Sequence, residues 1–167
     1  MDEALNGNVV KHLGFKLGEE HYAVPILTVR EIIWGVLDIT PLPRTARSIK
    51  GVINLRGKIV PVLDLRAKFG LPQGPASREN CIITLMADGD AGPLLMGVHV
   101  DSVTEVLALG ADDSAPLPDQ HGGGDLSFVR GLAKAKGRVT ILLDMDKLLA
   151  EGDLQGLETV MKELSAA

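Results

Sequence analysis

The chain has 167 residues, with 17 Lys and Arg against 22 Asp and Glu, a net charge of −5. Hydrophobic residues make up 46%, charged residues 23% and aromatic residues 3%, which excludes a disordered chain. The mild acidity gives no general attraction to phosphate backbones or anionic lipid, and one cysteine excludes an internal disulfide, which suits a reducing compartment. The N-terminal run MDEALNGNVVKHLGF is acidic and lacks the apolar stretch of a signal peptide. No apolar run approaches the roughly 20 residues of a membrane span. These properties predict a soluble cytoplasmic protein of one domain, or of two small ones sharing a core.

In chain order, the first residues, up to about 10, read as frayed. Residues 26–34 hold room for a short helical turn. Residues 51–65 form two short apolar runs broken at Arg56-Gly57, a hairpin signal because Gly tolerates positive φ. Pro61 lies inside the second run and argues for an edge, a bulge or a barrel corner. Residues 64–69 begin with a capping Asp and end at Gly70, which predicts a helix of one or two turns. Residues 81–86 and 94–100 read as strands, the second carrying Gly97 inside it. Residues 133–145 repeat the hairpin around Lys136-Gly137. At the C-terminus Leu154, Leu157, Val160, Met161 and Leu164 share one helical face, interrupted by the weak helix former Gly156.

The chain carries an internal repeat. Ile49-Lys50-Gly51, Arg56-Gly57-Lys58-Ile59 and Leu63-Asp64 recur 80 residues later as Val129-Arg130-Gly131, Lys136-Gly137-Arg138-Val139 and Leu143-Asp144. Gly18, Val24, Val29, Glu31 and Ile32 recur at an offset of 74 as Gly92, Val98, Val103, Glu105 and Val106. The difference places six extra residues between Val106 and Val129, where the loop-like run GADDSAPLPDQHGGGD lies. Many short strands with Gly corners predict small barrels. Two copies of about 75 residues would each be marginal alone, so a shared core is expected.

Signals for chemistry fail one by one. Residues 51–58 are not a phosphate loop, because five residues separate the glycines and Ile59 follows Lys58 where a hydroxyl is required. His121-Gly122-Gly123-Gly124 resembles an oxyanion-hole loop, but no Gly-x-Ser-x-Gly elbow accompanies it. The four histidines, His12, His21, His99 and His121, lie at no ligand spacing with one another or with Cys81, so no metal or other cofactor is expected. His99 reads as a half-buried strand residue and Cys81 as core. Asp64 and Asp144 are repeat-related, and N-capping accounts for both; a hydrolytic or small-ligand-binding barrel using them is the alternative from a different functional class. Aromatic residues do not interleave with basic ones, which argues against nucleic-acid binding. What remains is Glu31 and Arg56, two charges set among Val29, Ile32, Ile33, Trp34 and Leu55, a pattern that suits a protein–protein contact, with a solvated turn Arg and a surface Glu as the competing reading.

Residues 41–66, PLPRTARSIKGVINLRGKIVPVLDLR, resemble the signature of the CheW family of bacterial chemotaxis coupling proteins. EHYAVPILTVREII at 20–33, GVHVDSVTEVL at 97–107 and FVRGLAKAKGRVTILLDMDKLL at 128–149 follow in the family's order. The resemblance implies a mostly β fold of two intertwined SH3-like five-stranded β-barrels with a shared hydrophobic core, short helices and a C-terminal helix. Residues 1–167 then form a single CheW-like domain. Its approximate subdomains are 19–80 and 81–145, with the N-terminal strand 12–18 a candidate for exchange between them and the C-terminal helix at 146–167. It implies no enzymatic activity. The implied role is an adaptor between the cytoplasmic tips of chemoreceptors and the regulatory domain of a CheA-type histidine kinase, recruited to receptor arrays without membrane insertion. Kinase regulatory domains and couplers alternate in the rings of such arrays. A non-flagellar chemosensory cluster is the neighbouring alternative.

By the same resemblance Val29, Glu31, Lys50, Gly51 and Arg56 match positions linked to receptor or kinase binding. Ile82, Gly97, Val103 and Val106 match positions beside a groove for the receptor helical hairpin. Backbone geometry is the competing explanation for Gly51 and Gly97, and core packing for Val103 and Val106. The chain departs from the commoner family pattern at Trp34-Gly35 and at His121–Gly124.

Overall fold

A computed structural model describes residues 9–35, 38–43, 45, 47–74, 76–89, 92–116, 127–148, 157, 161 and 163. Eleven strands run along them: β1 (Val10–Leu17), β2 (Glu20–Pro25), β3 (Val29–Trp34), β4 (Ile49–Leu55), β5 (Lys58–Asp64), β6 (Cys81–Gly89), β7 (Gly92–Val100), β8 (Ser102–Leu109), β9 (Ser114–Ala115), β10 (Val129–Ala135) and β11 (Arg138–Leu143). Two single-turn helices, α1 (Leu65–Lys68) and α2 (Met145–Leu148), follow β5 and β11. The fold is mostly β, as expected.

The strands form two sheets, in the orders β8-β1-β2-β11-β10-β9 and β3-β6-β7-β5-β4. They belong to two compact units. The first takes the chain up to Thr28 and again from Val103 to Leu148; the second takes Val29–Ser102 and the C-terminal residues. Superposing the two orders recovers the repeat: β8, β1, β2, β11 and β10 stand where β3, β6, β7, β5 and β4 stand. Each copy therefore lends its first hairpin to the other copy's unit. The sequence reading divides the chain near residue 80. In the structure β6 and β7 (81–100) pair instead with β3 and β5, and β2 joins β1 in the unit that holds β10 and β11. Parallel pairing makes the exchange: Val62 lies opposite Gly97 between β5 and β7, and Ile141 opposite Tyr22 between β11 and β2.

Both predicted hairpins form with two-residue turns in which the first residue is not glycine. Arg56 and Lys136 each have φ of 52°, followed by Gly57 at 86° and Gly137 at 78°. Positive φ at both positions is the turn whose twist matches the flanking strands. Each hairpin also carries a register shift at its far end, between Ile49 and Gly51 and between Val129 and Gly131. Pro61 stands in a strand that is central in its sheet. The β5–β7 pairing covers only 62–64, so Pro61 has a paired neighbour on one side and its missing N–H breaks no parallel ladder bond.

The helical turn expected over 26–34 is confined to Ile26–Thr28, and β3 takes the rest, because Val29, Ile32 and Ile33 find partners on β6. Asp64 caps α1 through the Ala67 N–H at 3.2 Å, and its carboxylate also accepts from Gln73. Asp144 Oδ1 accepts from the N–H groups of Asp146 and Lys147 at the start of α2. Both repeat-related carboxylates are thus occupied as caps. Leu157, Met161 and Glu163 are helical and Leu157 is buried; the rest of the predicted C-terminal helix, and the His121–Gly124 loop, lie outside the described residues. In the second unit Ile53, Val60, Val62 and Ile82 form one buried cluster; in the first, Ala23, Leu107, Leu109, Ala133 and Leu142 form another. Phe15 and Tyr22 stack at 5.7 Å between ring centres.

Candidate functional site

Glu31 and Arg56, 25 residues apart, meet at one corner of the second unit. The β4–β5 turn holds the arginine there: its φ is positive, and the following Gly57 N–H donates to Asn54 Oδ1 at 2.8 Å. A bulge on β3 holds the glutamate. The β3–β6 register slips between Val29 and Glu31, leaving Arg30 as the extra residue. Arg56 Nη2 donates to Glu31 Oε1 at 2.6 Å and Nη1 to Oε2 at 3.4 Å. The guanidinium pulls the Glu31 carboxyl below the ordinary carboxylate value, chiefly through this hydrogen bond. The side chains stay 71% and 37% exposed, so solvent screens the pair and its contribution to stability is small. Trp34, 59% exposed at the end of the same strand, adds an apolar ring to this unit's surface.

The first unit repeats the arrangement with a richer base set. Glu105 on β8 accepts from Lys136 at the turn and from Arg138 at 3.0 Å. These cations, Lys136 first, hold the Glu105 carboxyl below its ordinary value. Val106, 49% exposed, and Val139 lie on the same strands as this cluster and are also exposed. Sequence reading singled out Glu105 only as a repeat match, and the hairpin offset of Lys136 from Arg56 was the signal that could have joined them.

The other predicted residues fall into two groups. Lys50 is the extra residue at the β4 register shift, half-buried, with Nζ 3.8 Å from Asp64 Oδ2. With Asp64, Arg66, Asn80, His99 and Asp101 it lines a polar cleft of about 330 Å³. Arg66 and Asp101 close one side as a bidentate pair at 2.9 and 2.5 Å. Val29 and Val103 are half-buried on β3 and β8. Gly51, Ile82 and Gly97 are buried and offer no side chain to a partner. A Cβ on Gly51 would meet the Thr40 carbonyl oxygen at 2.2 Å, and one on Gly97 would meet Ile82 Cγ2 at 2.7 Å. A larger, mostly apolar groove of about 600 Å³ in the first unit, with Leu27, Leu109 and Leu142 among its walls, contains none of the nine.

No cluster of three or more His, Cys, Asp or Glu side chains arranged for a metal occurs among the described residues. Nor is any helix among them long and apolar enough to cross a membrane. His99 faces Lys50, Asp64, Arg66 and Asp101, and burial, followed by Lys50, lowers its pKa from the usual 6.5. A depressed folded value means the unfolded chain binds the proton more readily, so stability present above pH 6.5 falls as the pH drops through the folded value. His12 shifts in the same direction, also by burial. Melting temperature is therefore expected to fall between about pH 7 and pH 5, and His99→Gln to flatten part of that fall. An unchanged profile in His99→Gln would show that this ring does not titrate with unfolding.

Residues 11–153 match the family model described as a CheW-like domain. The chain is 37% identical over 148 residues to the chemotaxis protein CheW of Klebsiella aerogenes, covering 89% of this chain and 86% of that protein. It is 33% identical over 142 residues to protein FrzA of Myxococcus xanthus, covering 81% and 82%. The crystal structure of the scaffolding protein TtCheW from Thermoanaerobacter tengcongensis superposes with a TM-score of 0.74 at 34% identity, covering 86% of this chain and 95% of that one. Matched over most of its length by family model, sequence and structure alike, the chain belongs to the CheW-like family of non-enzymatic chemotaxis scaffold proteins.

Proposed function

We propose that this protein couples the cytoplasmic tips of chemoreceptors to the regulatory domain of a CheA-type histidine kinase, and that it is recruited to receptor arrays from the cytoplasm. The observation that carries the reading is the exposed Glu31–Arg56 pair, held on one corner by a bulge and a tight turn. Charges fixed in register on an exposed corner suit a modest, orientation-specific contact, with affinity raised by many such contacts in an array. On this reading Val29, Glu31, Lys50 and Arg56 act on the second unit, and Val103 and Val106 on the first. Gly51, Ile82 and Gly97 act through the backbone and packing that set those surfaces.

The test is co-purification with a kinase regulatory domain and a receptor tip fragment, separately and together. Binding to neither overturns the proposal. Arg56→Glu places two carboxylates side by side and is expected to weaken binding of at least one partner about tenfold or more, with the melting curve unchanged. A folded Arg56→Glu protein that binds both partners and supports kinase activation normally would remove this corner from the interface.

A further inference from the structure

Glu31 reaches Arg56 from the position that follows the β3 bulge, where ladder hydrogen bonding is disturbed. One buried side chain holds the main chain there. Thr84 on β6 lies opposite Glu31 and is 1% exposed. Its Oγ1 accepts from the Glu31 N–H at 3.0 Å and donates to the Glu31 carbonyl oxygen at 3.2 Å. A single hydroxyl thus satisfies both main-chain polar groups of the residue that carries the carboxylate. The hydroxyl ties both groups to the buried floor of the sheet beside the slip in register.

The first unit solves the same problem differently. Gly14 pairs with Ala23 as Thr84 pairs with Gly97, and Ala23 and Gly97 are 74 residues apart, so Gly14 is the repeat counterpart of Thr84. A Cβ on Gly14 would meet Thr104 Oγ1 at 2.6 Å and the Glu105 carbonyl oxygen at 3.1 Å. There the glutamate's own strand comes down onto a glycine. In the second unit the space is filled from below by a hydroxyl.

We infer that Thr84 is a positioning residue for the partner-facing corner: its hydroxyl clamps the Glu31 main chain at the β3 bulge and so holds the carboxylate on Arg56. The functional part of this inference rests on the proposed role of the Glu31–Arg56 corner; the clamp itself does not.

The experiment follows the Glu31 carboxyl carbon by NMR during an acid titration, in the full chain and in Thr84→Val, Thr84→Ala and Thr84→Ser. The wild-type and serine proteins should titrate below the ordinary carboxylate value, because Arg56 holds the ionised form. The valine protein should titrate closer to that value, and the alanine protein does the same test should valine fail to fold. Binding of the kinase regulatory domain and the receptor tip should weaken in Thr84→Val by up to about tenfold, as in Arg56→Ala, and recover in Thr84→Ser. A titration unchanged by loss of the hydroxyl overturns the inference whatever the binding data show. A shifted titration with partner binding intact in both Thr84→Val and Arg56→Ala confirms the clamp and overturns the partner-facing role of the corner.

Discussion

Gly51→Ala is expected to destabilise the protein by about 3 kcal/mol, an effect that combines overpacking with backbone strain. Gly51 has φ of 152° and lies where Thr40 and Val52 exchange two hydrogen bonds of 2.9 Å. A methyl group there would sit 2.2 Å from the Thr40 carbonyl oxygen and 2.7 Å from its carbon. Both are backbone atoms, so no rotamer change relieves the contact; the Thr40–Val52 bridge must open or the register shift must unwind. Gly131 occupies the same place in the first unit, with a Cβ position 2.6 Å from the Ala115 carbonyl oxygen. Its φ is not in the positive region, so Gly131→Ala should cost less, about 2 kcal/mol. Urea unfolding of the two variants measures both values. The result also separates two roles for Gly51. A residue that touches a partner would lower affinity while leaving the unfolding midpoint in place. The buried approach to Thr40 predicts the reverse, with any loss of binding following the loss of folded protein. A Gly51→Ala protein within 0.5 kcal/mol or so of wild type would show that the chain beside Thr40 yields easily.

The second large effect couples Ile82 and Gly97. Ile82 is fully buried among Ile53, Val60 and Val62, and its Cγ2 fills the space that a side chain on Gly97 would need. Ile82→Ala should cost about 3 kcal/mol by leaving a cavity. Gly97→Ala should cost about 2 kcal/mol, since a β-branched neighbour cannot turn away within its rotamers. In the double variant the new methyl occupies part of the vacated volume. Its cost should be about 3 kcal/mol, smaller than the two single costs together, a coupling of about 2 kcal/mol in a double-mutant cycle. Ile82→Val keeps Cγ2 and should leave the Gly97→Ala penalty in place, which isolates the atom responsible. Additive costs would mean that the Gly97 penalty arises elsewhere, with Val62 Cγ2 at 3.5 Å and the Pro61 carbonyl at 3.6 Å as the remaining neighbours.

Much of the local structure was legible in the sequence because its causes are local. Arg56-Gly57 and Lys136-Gly137 force turns, Asp64 and Asp144 offer caps to the residues that follow them, and apolar runs flank each corner. The charged corner was legible in part: Glu31 and Arg56 stood out as charges among apolar neighbours, but their contact spans 25 residues and depends on a bulge no residue pattern announces. Strand β3 was missed for a related reason. Its residues gain their strand conformation from pairing with β6, fifty residues away in sequence, and a short turn suits the same run locally. The burial of Gly51 and Gly97 was equally out of reach, because a glycine that frees the backbone and one that admits a neighbouring atom look alike in one dimension.

The sequence alone determined that the chain is a duplicated β protein with Gly-turned hairpins, capping aspartates and no motif of chemistry. It also determined the family, through runs long enough to be specific. Only the tertiary structure decided which copy's strands pair with which. Because the copies carry the same pattern, β6 and β7 fit locally beside strands of either copy, as do β1 and β2. The choice is made by non-local pairing, Val62 against Gly97 and Ile141 against Tyr22, between strands whose local patterns are equivalent in the two copies, so no local signal specifies it. That choice places Thr84 beneath Glu31 in one unit and Gly14 beneath Glu105 in the other, and so sets how each acidic corner is held.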